Sequence, residues 1–98
     1  MEIAYKKTEA NIYNYQLWID FTNPEQLKMR FEKYLKKSGF TILKFNEHFF
    51  SVQGYTCFWL LGESHLAIHT FPESNKSYIE LSSCNQEKLE IFKSFLSA

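Results

Sequence analysis

The sequence carries no excess of either charge: eleven Lys and Arg balance eleven Asp and Glu, and the densest basic cluster is the pair Lys36-Lys37. Nucleic-acid binding draws on a basic stripe that neutralises phosphates, so that class of partner is set aside. Long apolar runs are missing as well. None approaches the roughly 18 residues that span a bilayer. The opening Met1-Glu2-Ile3-Ala4-Tyr5-Lys6-Lys7 has no signal-peptide core, so no membrane partner is expected and the expected address is cytoplasmic. Cysteine occurs twice, at Cys57 and Cys84, and in a reducing compartment both are expected as free thiols. No internal repeat, low-complexity tract or linker interrupts the chain, which predicts one domain over residues 1–98. A chain this short buries only roughly two-thirds of its unfolded surface, so association through a sheet face or edge, as a homodimer, is expected.

What is present is pattern. Ile12 to Phe21 alternates, with Tyr13, Tyr15, Leu17, Ile19 and Phe21 on one face and Asn14, Gln16, Trp18 and Asp20 on the other, the signature of a half-buried strand. A helix follows: Asn23 suits the N-cap, Pro24 the first turn, Gln26 the capping-box position and Gly39 the left-handed residue beyond Lys36 and Lys37. Leu27, Phe31, Tyr34 and Leu35 give it an apolar face. Thr41 to Phe50 and Tyr55 to Leu61 are rich in β-branched or aromatic residues and predict a hairpin around Ser51-Val52-Gln53-Gly54. Ser64 to Phe71 and Lys76 to Cys84 predict a second, around Pro72-Glu73-Ser74-Asn75. Leu89, Phe92, Phe95 and Leu96 recur with a helical period. The order β-α-β-β-β-β-α predicts an α+β two-layer sandwich, an antiparallel sheet with two helices on one face, whose other face needs a cover.

The run Gly62-Glu63-Ser64-His65-Leu66-Ala67-Ile68-His69-Thr70-Phe71, continued by Pro72-Glu73, carries the chemistry. Taken singly its members are ordinary: Ser64 beside Gly62 a turn serine, His69 a hydrogen-bonded strand histidine, Glu73 a solvated turn carboxylate, Cys84 a small hydrophobe. A metal site on His65 and His69 fails, because four residues along a strand span roughly 13 Å. A hydrolase nucleophile elbow fails too, since Gly62-Glu63-Ser64-His65-Leu66 lacks the second glycine and no helix pattern follows. Together, with Cys84 twenty residues after Ser64 and Gln53-Gly54-Tyr55-Thr56 upstream, they resemble the prokaryotic-type S-adenosylmethionine decarboxylases over about Tyr15 to Cys84.

The resemblance implies that the chain is a precursor which cuts itself between Glu63 and Ser64, turning Ser64 into a pyruvoyl group that forms a Schiff base with substrate. It implies His69 as the processing residue, Cys84 as proton donor, Thr56 as an assistant to processing where the family has serine, and Glu73 as the binder of the substrate's ribose hydroxyls; His65 matches the motif without a role. No metal is implied. The substrate would be S-adenosylmethionine, decarboxylated to supply the aminopropyl donor for polyamine (spermidine) synthesis. Phe49, Phe50, Trp59 and Phe71 are candidates to stack on its adenine or meet its sulfonium. Departures from the pattern lie at Thr56, at Phe71 where tryptophan is usual, at Ser74-Asn75-Lys76, at Glu80-Leu81-Ser82-Ser83 and at Asn85. The chain also stops sooner after its second helix than typical members, which implies a lost end piece. Two alternatives stay open: a pyruvoyl-dependent decarboxylase of another amino acid, arginine or ornithine, and a non-catalytic family member that stays whole and acts by binding a partner subunit or a ligand.

Overall fold

The computed structural model describes Ala4 and residues 11–96; apart from Ala4, the Met1–Lys7 run read above lies outside the described residues. Strand β1 covers Tyr13–Ile19, narrower than the alternation, with Tyr13, Tyr15, Leu17 and Ile19 half-buried and Asn14, Gln16 and Trp18 exposed. Helix α1, Pro24–Lys37, starts where the Asn23 side chain accepts the Gln26 N–H at 3.0 Å. It stops at Ser38, with Gly39 at φ +91° and the Phe40 N–H closing on the Leu35 carbonyl at 3.1 Å. That is a glycine C-terminal cap, in which a left-handed residue satisfies carbonyls the helix leaves open. Strands β2 (Ile42–Phe49), β3 (Tyr55–Leu61), β4 (Ser64–Phe71) and β5 (Lys76–Ser83) follow, then helix α2 (Gln86–Ser94). Asn85 caps α2 by accepting the Lys88 N–H at 3.0 Å; Phe95 and Leu96, periodic with the helix in sequence, lie just past its last residue.

The strands form one antiparallel sheet in the order β1-β5-β4-β3-β2. The first strand in sequence thus pairs with the last. Strand registers align Leu17, Ile79, Ile68 and Cys57 in one cross-sheet row, and Tyr15, Leu81, Leu66 and Trp59 in the next. Both rows are covered by the helices: Tyr15 meets Phe92 of α2 at 6.5 Å, Phe31 of α1 meets Phe92 at 6.0 Å, and Lys28 of α1 lies over Phe45 of β2. Leu27, Leu35, Trp59, Leu66, Ile68, Ile79, Leu81 and Phe92 are fully buried in this core, each worth about 1.5–3 kcal/mol of apolar transfer for a side chain of this kind. No described element covers the opposite face, where Trp18, Leu60 and Phe71 remain exposed.

Candidate active site

The turn between β3 and β4 consists of two residues, Gly62 and Glu63. The Gly62 N–H is held by the Thr41 carbonyl at 3.0 Å, while Glu63 sits in the left-handed region at φ +59°. A side chain there crowds its own carbonyl, at a cost of about 1–2 kcal/mol. So tight a connection demands a positive φ, and the glycine sits one residue too early to take it. The strained residue is therefore the one directly before Ser64.

Ser64 opens β4 with its side chain on the helix-covered face, 8% exposed, and donates to Ser83 Oγ at 2.8 Å. Ser83 is its register partner on β5 and in turn receives the Asn85 N–H at 2.9 Å. One residue on from Ser83, Cys84 is an exposed free thiol. Glu63, Ser64, His65 and Cys84 line a single pocket of about 360 Å³, with Ile12 and Leu60 on its apolar rim. Four motif positions thus converge at this end of the sheet. Sequence reasoning did not find the Ser64–Ser83 bond; the signal was available in the pairing of the two strands, each of which has a serine at that end.

Thr56 and His69 face each other across β3 and β4, and Thr56 Oγ1 lies 3.1 Å from His69 Nδ1. They occupy the uncovered face. Strand side chains alternate, and the step from 64 to 69 is odd, so Ser64 and His69 point to opposite sides. Five residues of strand also separate them by about 16 Å. One chain does not bring His69 to Ser64.

The substrate-binding candidates divide in the same way. Phe49, in register with Tyr55, lies on the helix side and lines a pocket of about 460 Å³ with Pro24, Phe50, Gln53 and Pro72. Glu73 is beside it in the short 3₁₀ turn Pro72–Ser74, accepting from Gln53 Nε2 at 3.4 Å. Phe71 belongs elsewhere. It packs on Trp18 at 5.6 Å across the uncovered face and lines a separate pocket with Ser74 and Lys76. The same alternation puts Phe71 on the face of His69, opposite Phe49. Trp59 is corrected as a stacking ring: it is fully buried, packed on Phe45 at 4.8 Å, because it takes an inward position of β3.

Beneath the Phe49 pocket a polar group was not foreseen. Tyr55 donates its hydroxyl to Glu47 Oε1 at 2.8 Å, Lys28 pairs with Glu47 Oε2 at 3.2 Å, and the Tyr55 N–H is taken by Thr70 Oγ1 at 2.8 Å. Burial, then the Glu47 bond, pushes the Tyr55 hydroxyl above its usual range. Burial also pushes the Cys57 thiol up to about 12, which leaves it inert beside the exposed Cys84. Among the described residues no group of three metal-ligating side chains occurs, and no helix is long and apolar enough to cross a membrane.

The sequence model of the family described as S-adenosylmethionine decarboxylase matches residues 10–98. The chain belongs to that family. A curated S-adenosylmethionine decarboxylase proenzyme from Prochlorococcus marinus is 39% identical over 54 residues, 55% of this chain and 43% of that protein. One from Brevibacillus brevis is 37% identical over 62 residues, 63% of this chain and 47% of that protein. The chain therefore spans less than half the length of these relatives. The crystal structure of the adenosylmethionine decarboxylase from Aquifex aeolicus superposes with a TM-score of 0.69 at 21% identity, covering 87% of this chain and 73% of that one. At that identity it speaks for the fold, an α+β sandwich of five antiparallel strands and two helices, as the order of elements predicts.

Proposed function

We propose that this chain is the precursor of a pyruvoyl-dependent S-adenosylmethionine decarboxylase, a carboxy-lyase of one domain that works as a homodimer in the cytoplasm and feeds polyamine synthesis. One observation carries the reading: the residue before Ser64 is strained, and Ser64 shares a pocket with Cys84.

Strain at Glu63 favours reaction of the bond that follows it. Ser64 Oγ attacks the Glu63 carbonyl carbon, the C–N bond breaks, the nitrogen takes the hydroxyl proton, and an ester results. Loss of the Ser64 α-proton then expels the Glu63 carboxylate, and water converts the dehydroalanine left behind into a pyruvoyl group and ammonia. The base for that proton is His69, through Nε2. For Nε2 to hold a lone pair, Nδ1 must carry the hydrogen and give it to Thr56 Oγ1, the contact seen at 3.1 Å. Since His69 sits about 16 Å from the Ser64 of its own chain, it serves the Ser64 of a second copy, docked on the uncovered face. Thr56 in this role is an orienter.

Once formed, the pyruvoyl group supplies a carbonyl that condenses with the substrate amine and a sink for the electrons released with carbon dioxide. The pocket residues do the rest. Cys84, exposed beside Ser64, delivers the proton to the substrate's α-carbon. At the far end of the strands Phe49 offers a ring for adenine and Glu73 a carboxylate that accepts from two ribose hydroxyls, while Phe71 gives an aromatic face to the sulfonium. Phe71, on the uncovered face with His69, comes with it from the second copy.

An intact-mass spectrum of the incubated protein, followed by borohydride treatment with S-adenosylmethionine, tests the reading. Pieces 1–63 and 64–98, the second carrying a reduced adduct, are expected. Split pieces without an adduct would overturn the substrate; one uncut mass would overturn the pyruvoyl chemistry.

A further inference from the structure

A single row of side chains crosses the uncovered face of the sheet. Register places Trp18 of β1 opposite Tyr78 of β5, Tyr78 opposite His69 of β4, and His69 opposite Thr56 of β3. Contact follows register. The Trp18 and Tyr78 rings are 5.1 Å apart, the Tyr78 and His69 rings lie 6.5 Å apart within 22° of parallel, and His69 Nδ1 meets Thr56 Oγ1. On the next same-face position of β5, Glu80 Oε2 accepts the Tyr78 hydroxyl at 3.0 Å. We infer that Tyr78, itself held by Trp18 and Glu80, is a positioning residue that fixes the His69 imidazole in the tautomer and orientation its work requires. This rests on the reading of His69 as the processing base.

A histidine on an open sheet face has two rotatable bonds, and the Thr56 contact anchors one ring nitrogen while leaving the ring free to swing about it. A flat neighbour set nearly parallel and offset beside the ring, its centroid 6.5 Å away, narrows that swing; parallel and offset aromatic pairs are attractive over 4.5–7 Å between centroids. The neighbour must also leave both ring nitrogens alone. A tyrosine hydroxyl free to turn would compete for the Nε2 lone pair that has to take a proton. Glu80 prevents this by engaging that hydroxyl. Desolvation, then the bond to Glu80, raises the Tyr78 hydroxyl above its ordinary range, so it stays a donor directed at the carboxylate. Trp18 closes the other side of the Tyr78 ring, so the phenol cannot tilt away from the imidazole. Trp18, 57% exposed, divides its packing between Tyr78 and Phe71.

The experiment is nitrogen NMR of the full chain labelled in histidine, at a pH where His69 is neutral, read alongside the rate of precursor cleavage. Wild type is expected to show His69 as one tautomer, hydrogen on Nδ1. Tyr78→Leu, which keeps bulk without a ring, is expected to mix the two tautomers and slow cleavage on the order of tenfold to a hundredfold, the scale of misplaced catalytic groups. Tyr78→Phe restores the stacking ring and is expected to recover the tautomer and most of the rate, a rescue that a merely space-filling role would not distinguish from leucine. Glu80→Gln, which loses the charge but keeps an acceptor, should sit near wild type. A single unchanged tautomer in Tyr78→Leu overturns the inference even if cleavage is normal. Should wild type stay uncut while Tyr78→Leu still scrambles the tautomer, the processing role fails and the positioning role stands. If Tyr78→Leu does not fold, Tyr78→Phe against Tyr78→His, a smaller ring with its own donor, gives the same reading: equal tautomer populations in the two overturn it.

Discussion

The two faces of the sheet are built from the same strands and have opposite characters. One face, under α1 and α2, holds Leu66, Ile68, Ile79 and Leu81 in full burial and makes almost no polar contact in its centre. The other holds Thr56, His65, His69, Tyr78 and Glu80, all half-buried; hydrogen bonds and near-parallel rings join Thr56, His69, Tyr78 and Glu80, and His65 stacks on Phe58. A period of two divides neighbours in sequence between these faces. A motif that reads as one string, from Glu63 to Glu73, is therefore divided between the two faces of one chain.

The largest effect is expected from separating the residues of the two faces, Ser64 and His69, onto different chains. Ser64→Ala and His69→Ala chains, each expected to stay uncut alone, should on mixing and co-refolding regain cleavage, and only in the His69→Ala chain, as a mass spectrum of the mixture will tell. Failure to complement would place both halves in one chain. Next in size is the contrast between the thiols. At pH 8 Cys57, pushed up to about 12 from an ordinary 9.0, presents a thiolate fraction about a thousandfold lower than an unperturbed thiol. Maleimide should thus modify the folded chain once, at Cys84, as peptide mapping would locate; a second adduct on the native protein would mean that the covered face opens readily. Packing comes third. Leu66→Ala, on the covered face, should lose about 2–5 kcal/mol in urea unfolding, whereas Leu60→Ala on the open face, 39% exposed, should lose under about 1 kcal/mol while the protein is monomeric. Equal losses would show that the open face is packed in solution. Smallest is Lys36→Ala, which removes an exposed pair with Glu32 at 3.9 Å and should change stability by about 0.3–0.5 kcal/mol, less at high salt.

Local chemistry made much of this legible beforehand. The Asn23 cap, the Pro24 start and the Gly39 stop are one-residue signals, and α1 obeys them. Alternation in Tyr13 to Ile19 and the turn residues around Gly54 and Asn75 gave the strands and their faces. The sequence pattern runs one or two residues past the strands at Ile12, Phe21, Thr41, Phe50 and Cys84; backbone bonds from Gly62 to Thr41 and from Phe50 to Gly54 persist there, as part of the turns rather than of the regular ladder. What sequence did not yield is everything that depends on which strand lies beside which. The β1–β5 pairing, Ser64 against Ser83, and Tyr78 against His69 are all register facts, set by tertiary packing rather than by neighbours in the chain. The same reason accounts for Trp59, one of four candidate stacking rings in sequence and a core residue in fact, and for the parting of Phe71 from Phe49.

The strand order holds one more consequence, for a chain cut between Glu63 and Ser64. Strands β4 and β5 would belong to the later piece, yet they lie between β1 and β3 of the earlier one. The pieces would be interleaved, each ladder edge of the later pair zipped to a strand of the other, so a nick at the turn would free two ends without freeing either piece. Such a protein would leave a sizing column as a unit while showing two bands on a denaturing gel. Its refolding would become a meeting of two molecules, dependent on concentration, where that of the uncut precursor is not. Maturation would be a one-way step for folding as well as for chemistry.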